Sequence, residues 1–135
     1  MSTAALRARY VSDSVTTASP ARLLVMLYDR LALDLRQAED GLRGGDRVGA
    51  GGHLAHAQQI VLELLSSLDV DAWEGGPALA SLYTYLASEL TQANVAGDAD
   101  RVAACAALVQ PLREAWHVAA SETAQAAPVV AGGVA

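Results

Sequence analysis

Two histidines three positions apart, His53 and His56 in "HLAHAQQI", are the residues whose type and spacing point first to chemistry. On a helix both rings would project from one face, a spacing that suits two metal ligands. A di-metal helical bundle needs more than this. It draws on Glu-x-x-His pairs, and the residue three before His53 is Ala50. The same histidines suggest phosphotransfer, since domains of that kind are small four-helix bundles displaying one exposed His. Such domains usually place a Lys nearby to steady the phosphoryl charge, and this chain has no Lys.

The remaining candidates are weaker. Asp69, Asp71 and Glu74 form an acidic cluster without the alternating oxygen ligands and closing Glu of a calcium loop. The glycines between 41 and 52 are not followed by Gly-Lys-Ser/Thr, so they are helix-end glycines and not a phosphate loop. No Ser/His/Asp arrangement and no CxxC pair is present. Cys105 is the single cysteine, which excludes an internal disulfide and fits a reducing compartment. It falls on an apolar seam, where a buried, inert thiol is expected. The reading is therefore no enzyme, no metal, no cofactor and no catalytic residue, with edge histidines and a solvated acidic loop.

Tyr83 and Tyr85 in "SLYTYL" ask for a different explanation. Two residues apart on a helix, their side chains diverge by roughly 200°. One can fill the core while the other faces outward, as an adaptable contact with a flat apolar body and a polar tip.

The elements that must carry these residues are helices. The chain has 135 residues, 53% of them hydrophobic, with no Phe, two Trp and four Tyr. Aliphatic residues and alanine must fill the core, and few β-branched runs favour strands. Net charge is −6 and all nine basic residues are Arg, so no basic stripe offers itself to nucleic acid. No apolar run is long enough to span a membrane, and the N-terminus lacks the apolar core of a signal peptide, so the cytoplasm is the expected location.

Periodicity divides the chain into four helices. The first runs from Pro20 to about Arg43, with Ser19 as its cap, Gly44 as its stop and a seam of Leu24, Tyr28, Leu31, Leu35, Ala38 and Leu42. The second, from about Arg47 to Leu68, has a glycine-rich start that should fray. The third runs from Pro77 to about Val95, and the fourth from about Ala99 to Ala120 with Asp98 as its cap. Pro111 lies inside the fourth, where it removes a hydrogen bond and crowds the carbonyl four residues back, predicting a kink near residue 107 or a short break. Short connections favour antiparallel neighbours. The expected fold is all-α: an antiparallel up-down-up-down four-helix bundle over residues 19–120, with a flexible N-terminal arm over 1–18 and a disordered tail over 121–135.

Three stretches, taken in order, carry a resemblance: "YVSDSVTTASPARLLVMLYDR", "LYTYLASELTQAN" and "PLREAW". They supply Tyr10, Val15, Thr17-Ala18-Ser19-Pro20, Leu23, Leu24 and Met26-Leu27-Tyr28-Asp29, then Leu79, Leu82-Tyr83, Tyr85 and Asn94, then Arg113, Ala115 and Trp116. Across roughly residues 10 to 117 the chain resembles the FliS family of flagellar secretion chaperones. It departs from the family pattern at Pro111, in the glycine-rich stretch 44–52, and in placing Asp13 where an Asn is common.

The resemblance implies a cytoplasmic export chaperone. It would bind the C-terminal segment of flagellin, prevent premature polymerisation and assist flagellar type III secretion, with the export apparatus as a further partner. It implies no cofactor, no membrane insertion, and a monomer or weak homodimer when free. Apolar residues flanking the bundle seam are then the partner-binding candidates: Leu23, Met26 and Leu27 on the first helix, with Tyr83 and Tyr85 on the third. Leu27 has a plainer reading, as part of a stripe that meets two neighbouring helices. Tyr10 and Val15 are the bulky anchors of the arm, which is expected to fold back over an apolar groove until flagellin displaces it. The alternatives are a histidine phosphotransfer or adaptor domain, and a homo-oligomeric bundle with no client.

Overall fold

A computed structural model describes residues 19–134, with side chains described to Glu122. It contains four helices: α1 (Pro20–Arg43), α2 (Arg47–Ser67), α3 (Gly76–Ala96) and α4 (Ala99–Val134). No strand occurs among the described residues, so the all-α expectation holds. The expected arm, with Tyr10 and Val15, lies outside the described residues.

The helix ends follow from local chemistry. The Ser19 hydroxyl accepts from the Arg22 N–H at 3.2 Å, the cap read from the Ser-Pro pair. At the other end α1 closes at Arg43 with Gly44 at the cap position, and Gly45 beyond it takes positive φ, at 85°. The Asp46 N–H reaches back to the Gly41 carbonyl at 2.8 Å, which closes a Schellman turn. Asp46 then begins α2, its carboxylate accepting from the Gly49 N–H at 2.9 Å. Three residues thus stop one helix and start the next, and α2 is helical from Arg47 across its glycine run. Gly97 ends α3 with φ 65°, and Asp98 caps α4 through the Arg101 N–H at 3.1 Å.

Pro111 does not break α4, which is assigned helical without interruption through it. A proline costs the helix one donor, which removes a single bond without changing the helical assignment of its neighbours. The helix also continues past Ala120 to Val134, through a segment that has no apolar period but is rich in alanine, the best helix former.

The chain divides into two compact units, residues 29–110 and residues 1–28 with 111–135. In the first, the core is the predicted seam: Leu31, Leu35 and Ala38 on α1, Leu54, Ala57, Val61 and Leu64 on α2, Tyr83, Leu86, Leu90 and Ala93 on α3, and Val102, Cys105 and Val109 on α4, all buried. Seam positions near helix ends, Leu42, Leu68 and Leu79, are only partly buried. Contacts advance along one helix as they retreat along the next: Asp34 meets His56 while Gly41 approaches Ala50, and Arg47 meets Val95 while Gln58 meets Thr91. That is the ordering of antiparallel neighbours for α1 with α2 and for α2 with α3. A Cβ on Gly41 would stand 3.2 Å from the Ala50 Cβ, so the two backbones pass close because both residues are small. In the second unit, Tyr28 is buried with its ring centroid 6.5 Å from that of Trp116. Val25 is buried beside it in sequence, and Leu24 and Leu112 are partly covered.

Two predictions follow from these contacts. Gly76 is buried, and a Cβ there would run into the Val70 carbonyl, a backbone group that cannot swing aside. Gly76→Ala should therefore lower stability by about 1–3 kcal/mol in urea unfolding, the usual range for overpacking. Burial pushes the Cys105 thiol up to about 11, with the Glu89 carboxylate adding to the rise. A thiol-specific reagent at pH 8 should label the folded protein far more slowly than the urea-unfolded chain, because the thiolate is the nucleophile.

Candidate functional site

The described residues hold no cluster of three or more His, Cys, Asp or Glu fit to hold a metal ion. What they offer instead is uncovered apolar surface. On α1, Leu23 is 46% exposed and Met26 56%, while Leu27 is half-buried. A helix returns to the same face every three to four residues, so Leu23 and Met26 lie together, on a side away from the buried Val25 and Tyr28. Pro20 and the Ser19 cap fix the first turn that presents them. Val118, on the α4 part of the same unit, is also exposed.

In the 29–110 unit a groove of about 470 Å³ lies along α2 and α3. Leu54, Ala55, Leu90 and Val95 give it apolar walls, and Gln58, Thr91 and Asn94 give it amide and hydroxyl groups. The Gln58 amide donates to the Thr91 hydroxyl at 2.9 Å, tying the two helices together. Arg47 donates to the carbonyls of Asn94 and Val95 at 3.2 and 2.7 Å, where α3 runs out of internal donors. The tyrosine pair divides as its spacing predicts. Tyr83 is 2% exposed and belongs to the core, whereas Tyr85 is 52% exposed. Of the predicted contact residues, Leu23, Met26 and Tyr85 therefore present open surface, Leu27 presents part of itself, and Tyr83 is internal. Leu23, Met26 and Leu27 belong to one unit and the two tyrosines to the other.

Sequence reasoning missed two features. The groove is one; its signal was Val95, an apolar residue off the α3 seam beside Asn94. The other is Asp34, the one buried charged residue recorded among the described residues, at 0% exposure. Its signal was an acid between Leu31 and Leu35, on the side of the helix that faces the core. Its Oδ2 is hydrogen-bonded by His56 Nδ1, and its Oδ1 lies 3.7 Å from His53 Nδ1 and 3.4 Å from Arg30 Nη2. The two histidines are thus not merely solvated; they lean on a buried carboxylate from α2.

Comparison with known proteins adds what geometry alone leaves open. Residues 2–123 match the family model described as flagellar protein FliS. This chain belongs to the FliS family. Its relatives include the flagellar secretion chaperone FliS of Bacillus subtilis, 31% identical over 110 residues, covering 82% of each chain. The FliS of Salmonella typhimurium is 34% identical over 109 residues, covering 78% of this chain and 80% of its own. That of Escherichia coli is 32% identical over 108 residues, covering 78% and 79%. The residues quoted for the resemblance fall within the span of the FliS match, and the open side chains of α1 sit inside its first stretch.

Stability and surface roles should separate on mutation. Tyr83→Ala should cost about 3–5 kcal/mol, the range for truncating a large buried ring. Met26→Ser and Leu23→Ser should each stay within about 0.5 kcal/mol of the parent, as surface changes do. Denaturant midpoints of the three variants check this.

Proposed function

We propose that this protein is a cytoplasmic export chaperone that binds the C-terminal segment of flagellin, holds it back from polymerisation and helps deliver it to the flagellar type III secretion apparatus. The reading is carried by membership of a family whose curated relatives are named flagellar secretion chaperones, over about four-fifths of the chain. No helix among the described residues is long and apolar enough to cross a membrane.

The physical case starts from the client. A segment that assembles by helix packing carries an apolar stripe, and left free it finds another copy of itself. A binder must bury that stripe against apolar surface of its own, laid down as a helix in a groove or as a wrapping chain. Leu23 and Met26 supply such surface on α1, with Leu27 at its edge, and Tyr85 and the α2–α3 groove supply more. Burial contributes roughly 25 cal/mol per Å² of apolar area, offset by the cost of ordering the segment. Met26 suits a partner whose sequence varies, since its unbranched thioether repacks easily. Tyr83 acts from behind, filling the core beneath the turn that carries Tyr85. In this reading the arm, through Tyr10 and Val15, covers apolar surface until the client arrives; a weakly held segment yields at low cost.

Co-purification with flagellin is the direct test. Full-length flagellin should be retained and flagellin lacking its C-terminal segment should not. Leu23→Glu with Met26→Glu should weaken the complex by at least about tenfold, roughly 1.4 kcal/mol. Equal retention of both flagellins, or an affinity untouched by the double change, would sink the respective part of the proposal.

A further inference from the structure

Asp34 sets an unusual requirement on its surroundings. It is fully buried, and its Oδ1 has no hydrogen-bond partner. An orphaned buried acceptor is costly, on the order of 1–3 kcal/mol, so it asks for an explanation. The charged and titratable groups recorded against it are Arg30 from α1 and His53 and His56 from α2. Both imidazoles turn the same ring nitrogen, Nδ1, toward the one carboxylate.

That shared orientation has a chemical consequence. A carboxylate only accepts hydrogen bonds, so His56 donates to it from Nδ1, whereas His53 Nδ1, 3.7 Å from Oδ1, faces the acid without bonding it. At His56, Nε2 then carries the free lone pair, and at both rings Nε2 is the nitrogen not turned to the buried acid. The rings are 37% and 45% exposed at His53 and His56, so those nitrogens reach solvent from adjacent turns of α2. A carboxylate holding Nδ1–H while Nε2 is free is the arrangement in which metal-binding histidines are ordinarily held, since the second-shell bond fixes the tautomer and strengthens the donor.

We propose that His53 and His56 form a two-imidazole surface site for a late first-row divalent cation, of the nickel, copper and zinc class, with Asp34 as the buried positioning residue. No third protein ligand completes the site among the described residues, so water fills the remaining positions and binding is weak and exchangeable. The imidazole donors select this class over magnesium or calcium, which take oxygen ligands. Metal capture by both Nε2 atoms would also restrain His53, drawing its Nδ1–H onto the Oδ1 that now has no partner.

The test is calorimetric titration of the untagged full-length chain with nickel chloride, and separately with magnesium chloride. Saturable binding of one nickel ion per chain, with none of magnesium, is expected. His53→Ala and His56→Ala should each weaken nickel binding by about tenfold or more, and the double variant should abolish it. His53→Ala removes no hydrogen bond and keeps the fold. His56→Ala strips the bond to buried Asp34 and lowers stability, so nickel is titrated below the unfolding midpoint that circular dichroism sets. His56→Gln, which keeps a side-chain amide donor without the imidazole, serves as the second variant. Asp34→Asn offers a donor amide where the carboxylate accepted; if folded, it should lose about 10–100-fold in nickel affinity. Absence of a saturable nickel isotherm, or an isotherm unchanged in the double histidine variant, overturns the site. Unchanged affinity in folded Asp34→Asn removes the positioning role.

Discussion

The architecture depends on how closely its helices approach. With no Phe in the chain, the interior must be filled by leucines, valines and alanines, and such side chains leave no void only when backbones come near. Ala38, Ala50, Ala57 and Ala93 are all fully buried, and Gly41 faces Ala50 where α1 and α2 leave their turn. A small-residue seam of this kind sets the spacing of the four helices. It also decides what stays outside in that unit: once the seam is filled, Tyr85 and Val95 have nowhere internal to go.

Those uncovered side chains are what an export chaperone needs and what a self-sufficient bundle would avoid. The two kinds of surface differ in character. The α1 patch is apolar and exposed, whereas the α2–α3 groove mixes apolar walls with Gln58, Thr91 and Asn94. Amides and hydroxyls in a groove satisfy a partner's backbone as well as its side chains, which suits an ordered segment. An aliphatic patch tolerates variation in what it covers.

Much of this was legible in the sequence because apolar spacing and end signals are local. The seams of all four helices were readable, and so were the Ser19 and Asp98 caps and the inward-outward split of Tyr83 and Tyr85. Gly44 was legible as the cap of α1, while the left-handed residue of the Schellman turn is Gly45 beyond it. The short break that Pro111 allowed does not occur, since a missing donor removes one bond and α4 is assigned helical through it. Asp34 and its histidines escaped for a non-local reason. They lie 19 and 22 positions apart, and only the pairing of α1 with α2 brings them together.

The corner between α1 and α2 carries a lesson for handling the protein. Gly44, Gly45 and Asp46 serve as terminator and initiator at once, so a linker or label spliced there would strip end-groups from two helices together. In the connection from Leu68 to Gly75 the Val70 carbonyl packs against Gly76, but Asp71, Ala72 and Trp73 are turned to water. A fluorophore or affinity handle for following cargo transfer belongs on that second corner, around Ala72, where the chain already tolerates bulk.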